Sequence, residues 1–270
     1  MEELTASVEL RALTKVYGDF TAVQDLSLSV APGEIMALLG PNGAGKTTTI
    51  RMLMGVLQPS SGEAFVRGLD CFSGRADVMR HVGYLPDEPA FYEYLRGSEV
   101  IRFVGEMHGI DGRDALLQSG TLIERFDLGN DLEEFAVNYS KGMKKKLALI
   151  CATLHDPPVL ILDEPTNGLD PFATRTLHDL VLERASAGTA VFFSTHLLDQ
   201  AEKLCHRVGI LYRGQLAALG RLHELRDQLV PGGNLEDIFF QVASDSGEES
   251  KPSDSPDDST SDPESGDGHA

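Results

Sequence analysis

Gly40-Pro41-Asn42-Gly43-Ala44-Gly45-Lys46-Thr47, with Thr48 following, has the spacing glycine, four residues, glycine, lysine, threonine. Glycines in such a loop let backbone N–H groups converge on phosphate oxygens. The ammonium of Lys46 would bridge the β- and γ-phosphates, and the Thr47 hydroxyl would face Mg²⁺. The flanks supply the context this motif requires. Ile35 to Leu39 is a continuous apolar run of the buried-strand kind, set off by Ala31-Pro32-Gly33. Thr48 to Leu57 reads as a helix ending near Pro59. Strand, glycine loop and helix N-terminus in that order make an anion site.

Two further segments follow in a fixed order, Tyr139-Ser140-Lys141-Gly142-Met143 and Val159-Leu160-Ile161-Leu162-Asp163-Glu164. The four apolar residues predict a buried strand that delivers Asp163 at its C-terminal end, beside Thr47, where a carboxylate can hold a Mg²⁺ shell. Glu164 stands one residue further along the chain. Phosphoryl transfer needs positioning and charge neutralisation, and these residues supply both.

Together the three segments resemble the nucleotide-binding subunit of an ATP-binding cassette transporter, over about residues 8–242. The resemblance implies ATP and Mg²⁺ as cofactors and gives roles to further positions. Glu164 matches the catalytic carboxylate. His196, after Val191-Phe192-Phe193-Ser194-Thr195, matches the histidine that contacts the γ-phosphate and orients the Glu164 water. Tyr17 falls where the family stacks an aromatic ring on adenine. Ser140 and Gly142 are retained in the signature segment, which presents a helix N-terminus to a γ-phosphate, while Lys141 and Met143 depart from its commonest form. Gly168-Leu169-Asp170 matches the loop that crosses to a second subunit. Asp87 stands where the family usually has glutamine; an acid can reach the Mg²⁺ shell through water but cannot donate an amide hydrogen bond. Lys144-Lys145-Lys146 reads as a solvated helix face.

The expected fold is α/β: a P-loop NTPase core with a mainly parallel sheet, an N-terminal antiparallel β part and an inserted helical subdomain at about 90–157. Val8 to Arg11 and Leu26 to Val30 alternate as half-buried strands around a turn at Gly18-Asp19. After Pro158 the pattern gives strand 159–163, helix 171–186, strand 189–194, helix 197–206 and strand 208–212. Such alternation predicts a parallel sheet covered on both faces. Leu235 to Phe239 resembles the short terminal helix of exporter cassettes. The ATP-binding domain is expected over 1–242 and an acidic disordered tail over 243–270, where nine acidic residues face one lysine.

The net charge of −19 excludes nucleic acid as an expected partner, because phosphate backbones need a basic footprint. No apolar run approaches the eighteen or so residues of a membrane span, and Met1-Glu2-Glu3-Leu4 lacks the character of a signal peptide. The expected location is therefore cytoplasmic, peripheral on the membrane through a separately encoded permease. Cys71, Cys151 and Cys205 have no paired spacing and read as buried thiols. The functional expectation is the ATP-hydrolysing subunit of an exporter, working as two copies or with a paralogous cassette. The alternative is a soluble regulatory cassette ATPase not engaged in transport. Ribosomal and DNA-associated cassettes fit poorly, since one phosphate loop and one Asp163 stand 117 residues apart with no sustained heptads.

Overall fold

The computed structural model describes residues 6–229 together with 237, 238, 240 and 241. The acidic stretch 243–270 and most of Leu235 to Phe239 lie outside the described residues. Asp237 and Ile238 are helical, and Ile238 is fully buried.

The chain opens with a hairpin of β1 (Val8–Tyr17) and β2 (Phe20–Val30), turned at Gly18-Asp19. Both strands run longer than their regular alternation, because bulges interrupt the register after Leu10 and Leu13 without ending the pairing. β3 (Ile35–Leu39) is buried at every position. It leads into α1 (Lys46–Leu53), which starts two residues earlier and stops four residues sooner than its composition suggests. Gly55, at φ +61°, takes the left-handed conformation that closes helices. β4 (Ser61–Val66) and the two-residue β5 (Leu69–Asp70) join the hairpin in an antiparallel sheet of order β2-β1-β4-β5. Then come α2 (Arg75–Met79), β6 (Val82–Leu85), α3 (Gly97–Met107), α4 (Gly112–Arg125) and α5 (Lys141–Thr153). The last three pack on one another as the expected helical insertion requires, and α5 also rests on β6.

The remaining elements are β7 (Val159–Asp163), α6 (Pro171–Ser186), β8 (Ala190–Thr195), α7 (Leu198–Leu204), β9 (Arg207–Tyr212), β10 (Gln215–Gly220) and α8 (Leu222–Leu229). They complete a six-stranded sheet of order β10-β9-β3-β8-β7-β6, in which every pair is parallel except β10 with β9. β3 shows why its apolar run is unbroken. Ile35, Ala37 and Leu39 enter the core shared with α5 and α6, while Met36 and Leu38 enter the core shared with α1 and the antiparallel layer. Between β9 and β10, Gly214 accepts from the Gln24 N–H at 2.7 Å and donates to the Ala44 carbonyl at 3.0 Å. The antiparallel layer, the turn and the phosphate loop are thereby joined.

Among the described residues no helix is long and apolar enough to cross a membrane. Cys71, Cys151 and Cys205 are free. Burial pushes the Cys71 and Cys151 thiols up to about 12, so both behave as small apolar groups.

Candidate active site

Parallel register assembles the site. Leu39 of β3 pairs with Thr195 of β8, and Asp163 of β7 pairs with Ser194 of β8. The residues that follow these strands, Gly40, Glu164 and His196, therefore leave the sheet side by side at its C-terminal edge, where ligands bind in open α/β sheets.

Gly45 begins α1 at φ +108°, and a β-carbon there would stand 2.4 Å from the Ala22 carbonyl oxygen. Only glycine fits. Lys46 is buried, and its Nζ donates to the carbonyls of Gly40 at 2.7 Å and Pro41 at 3.2 Å. The same ammonium lies 3.2 Å from Glu164 Oε1. Thr47 Oγ1 donates to Asp163 Oδ1 at 3.4 Å. Ser194 Oγ also donates to Asp163 Oδ1, at 2.5 Å, and accepts from the Glu164 N–H at 3.0 Å. Burial pushes the Asp163 carboxyl above the usual carboxylate range; the hydrogen bonds from Ser194 and Thr47 oppose this, and the charges of Asp87 and Glu164 add to it.

Glu164 has φ +44°, a conformation that costs a non-glycine residue energy unless its surroundings enforce it. Here both peptide groups are tied. Its N–H bonds Ser194, and its carbonyl accepts from Lys145 Nζ at 2.6 Å. With the backbone held, the carboxylate reaches Lys46 through Oε1 and His196 Nδ1 through Oε2, the latter at 2.9 Å.

A cavity of about 390 Å³ opens over these groups. Of the residues expected to bind nucleotide or metal or to act in catalysis, Tyr17, Pro41, Asn42, Gly43, Gly45, Lys46, Thr47, Thr48, Asp87, Glu164 and His196 line it. Gly40, Ala44 and Asp163 sit behind that wall, Gly40 through its bond to Lys46 and Asp163 through its bond to Thr47. Ser140, Gly142 and Asp170 do not line it. Ser140 instead caps α5, accepting from the Met143 N–H at 3.2 Å. Asp170 caps α6 through the Ala173 N–H and pairs with Lys146 at 3.3 Å. A β-carbon on Gly142 would stand 2.7 Å from the Gly168 carbonyl oxygen, so the signature turn and the loop at Gly168 touch backbone to backbone.

The donor set fits a hard divalent cation. A hydroxyl and a carboxylate within 3.4 Å of each other, with Asp87 on the same cavity, leave the other positions for phosphate oxygens and water, as Mg²⁺ prefers. No cluster of three or more His, Cys, Asp or Glu exists among the described residues to form an all-protein cage.

One expectation is corrected. Lys144 to Lys146 do not form a solvated face: Lys145 is completely buried, Lys144 and Lys146 are only partly exposed, and the Lys146 side chain keeps 15% of its surface in solvent. A three-residue run spans most of a helical turn, and α5 is wedged between β6 and the Glu164 turn, so part of any such run must face inward. Three other contributors carried no sequence signal as site residues. Ser194 looked like strand, Asn167 like loop, and Phe20 like the surface aromatic that its 61% exposure makes it, although Phe20 and Asn167 line the cavity.

Comparison with known proteins gives the family. The family described as ABC transporter matches residues 23–167, and the chain belongs to that family. It is 36% identical over 242 residues to the probable multidrug ABC transporter ATP-binding protein YbhF of Escherichia coli (strain K12), covering 88% of this chain and 42% of that protein. The chain thus spans about two fifths of that relative's length. It is also 36% identical over 217 residues to the bacitracin transport ATP-binding protein BcrA of Bacillus licheniformis, covering 79% and 69% of the two chains. A solved structure of an ATP-binding subunit of an ABC transporter superposes with a TM-score of 0.83 at 33% identity, covering 87% of this chain and 99% of that one.

Proposed function

We propose that this chain hydrolyses ATP and couples the cycle to export through a separate membrane-spanning permease. The observation that carries the reading is the Glu164 carboxylate held between Lys46 and His196, next to the Thr47–Asp163 pair. Lys46 supplies positive charge to the terminal phosphates, and the loop amides align them. Thr47 and Asp163, with Asp87 nearby, would hold Mg²⁺, which would supply charge neutralisation on the phosphates. Glu164 polarises the attacking water and accepts its proton. His196 donates through Nδ1 to Glu164, and in its doubly protonated form the Nε2–H would also reach the terminal phosphate. Tyr17 and Phe20 give the base an aromatic wall.

Ser140 and Gly142 are absent from their own chain's cavity, which supports a site completed by a second copy or a paralogous cassette. For the permease, the support is an apolar groove at Phe91, Tyr92, Leu95 and Phe103, a few residues beyond Asp87. Tyr92 and Tyr94 are 68% and 85% exposed, and an aromatic patch of this kind marks a protein partner. Such a partner would hold the chain at the cytoplasmic face of the membrane. Relatives named for multidrug and bacitracin transport favour an exporter. The test is phosphate release from ATP by the purified chain, with and without Mg²⁺, beside Lys46→Ala. Mg²⁺-dependent release lost in the variant supports the reading; release unchanged by that substitution refutes it.

A further inference from the structure

Lys145 is the most deeply buried lysine among the described residues. Its side chain is fully buried on α5, the helix that Ser140 caps. Its ammonium has two partners from other parts of the fold. It donates to the Glu164 carbonyl at 2.6 Å, and it lies 3.4 Å from Asp87 Oδ1. That same carboxylate oxygen accepts from Asn167 Nδ2 at 3.2 Å, three residues beyond Glu164. A buried ammonium is expensive unless charge and hydrogen bonds compensate it. Here the compensating charge is Asp87, an acid where a glutamine was expected.

We propose that Lys145 is a positioning residue for hydrolysis, locking the signature helix, the Asp87 segment and the strained Glu164 turn into one unit. The proposal rests on the hydrolytic reading above and extends it. Both peptide groups of Glu164 are engaged at φ +44°: its N–H bonds Ser194, and its carbonyl accepts from Lys145 Nζ at 2.6 Å and from the Asn167 N–H at 3.2 Å. Movement of α5 is therefore transmitted directly to the carboxylate beside Lys46. The acid at Asp87 and the lysine at Lys145 form a matched pair. Asp87 supplies the charge that lets Lys145 be buried, and Lys145 and Asn167 hold the carboxylate that borders the cavity.

The test uses the full chain and three changes. Lys145→Met removes charge and donor, Lys145→Gln keeps an N–H donor without charge, and Asp87→Asn removes the matching charge. In ATP hydrolysis, Lys145→Met should lower kcat about tenfold or more with KM for ATP changed less than about threefold, and Lys145→Gln should recover part of kcat. Thermal unfolding supplies a readout independent of turnover. Asp87→Asn strands a buried ammonium and should lower Tm by about 5 °C, whereas adding Lys145→Met to it should restore most of that loss. Strictly additive Tm changes, or a Lys145→Met kcat within twofold of the parent, overturn the proposal. Absence of hydrolysis in the parent chain would instead refute the functional reading. The coupling between Asp87 and Lys145 would still be decided by Tm.

Discussion

His196 Nδ1 lies 2.9 Å from one carboxylate oxygen of Glu164, while Lys46 approaches the other at 3.2 Å. The carboxylate is fixed at both oxygens, and its peptide is fixed at both ends. Glu164→Gln keeps the size of the side chain but removes its capacity to take a proton. Turnover should fall by about 10²–10⁴ with ATP affinity retained. Sedimentation with ATP should show an accumulating dimer. Substantial phosphate release by the variant would remove Glu164 from this role.

Ser194 makes a prediction that separates support from chemistry. Its hydroxyl donates to Asp163 and accepts the Glu164 N–H. Ser194→Ala leaves that buried N–H unpaired at a strained residue, a loss of about 1–3 kcal/mol. Denaturant titration should show this as a lowered midpoint, and turnover should drop in the same variant. An unchanged midpoint would mean that another group satisfies the Glu164 amide.

Each nucleotide should be shared between two chains, one giving Lys46, Thr47 and Asp163 and the other Ser140 and Gly142. Lys46→Ala and Ser140→Arg each disable both sites of a homodimer. A mixed dimer contains one composite site free of either lesion, so mixing the two variants should restore up to one working site per dimer. Absence of rescue from confirmed, folded mixed dimers would refute the shared site.

A pH dependence follows from His155, whose ring stacks on that of His108 with centroids 3.7 Å apart and planes 8° from parallel. Burial lowers the His155 pKa to about 4, and the His108 charge adds to this while Asp156 opposes it. The unfolded chain, titrating near 6.5, binds more protons than the native one between those values. Stability contributed here is thus full above about pH 6.5 and is lost as pH falls toward 4. Thermal melts should drop by about 3–6 °C between pH 7 and pH 4.5 from this source. His155→Phe should flatten the profile. A profile unchanged in the variant would place the titrating group elsewhere.

Much of the candidate site's layout is legible in the chain because the expected chemistry depends on backbone and spacing. Gly40 to Thr47 specify a loop almost by themselves, and the apolar run before Asp163 can only be a buried strand ending at that acid. The core strands and helices from 159 to 212 followed from periodicity to within two residues. β4, β5, β6 and β10 carry no clear sequence signal: β5 and β6 are only two and four residues long, and β4 and β10 have mixed patterns with exposed positions. Lys145 was misread for a different reason. A lysine in a lysine run looks solvated, and what buries it is a pairing with Asp87, distant in sequence, together with a carbonyl that no side-chain pattern encodes. Ser194 was hidden likewise, since a strand serine shows its partners only once β7 and β8 are in register.

The aromatic wall of the cavity and the wall that carries Lys46, Glu164 and His196 belong to different sheets. Tyr17 and Phe20 ride on the ends of the β1–β2 hairpin, whereas Lys46, Glu164 and His196 ride on the parallel sheet. The backbone of Gly214 bonds both sides, taking the Gln24 amide and giving its own to Ala44. This joint is written in peptide groups, so replacement of neighbouring side chains at Arg213 or Gln215 leaves it in place. On the nucleotide reading proposed above, the hairpin that would face the base can therefore change while the residues that would face the phosphates keep their alignment, as long as that one turn keeps its path.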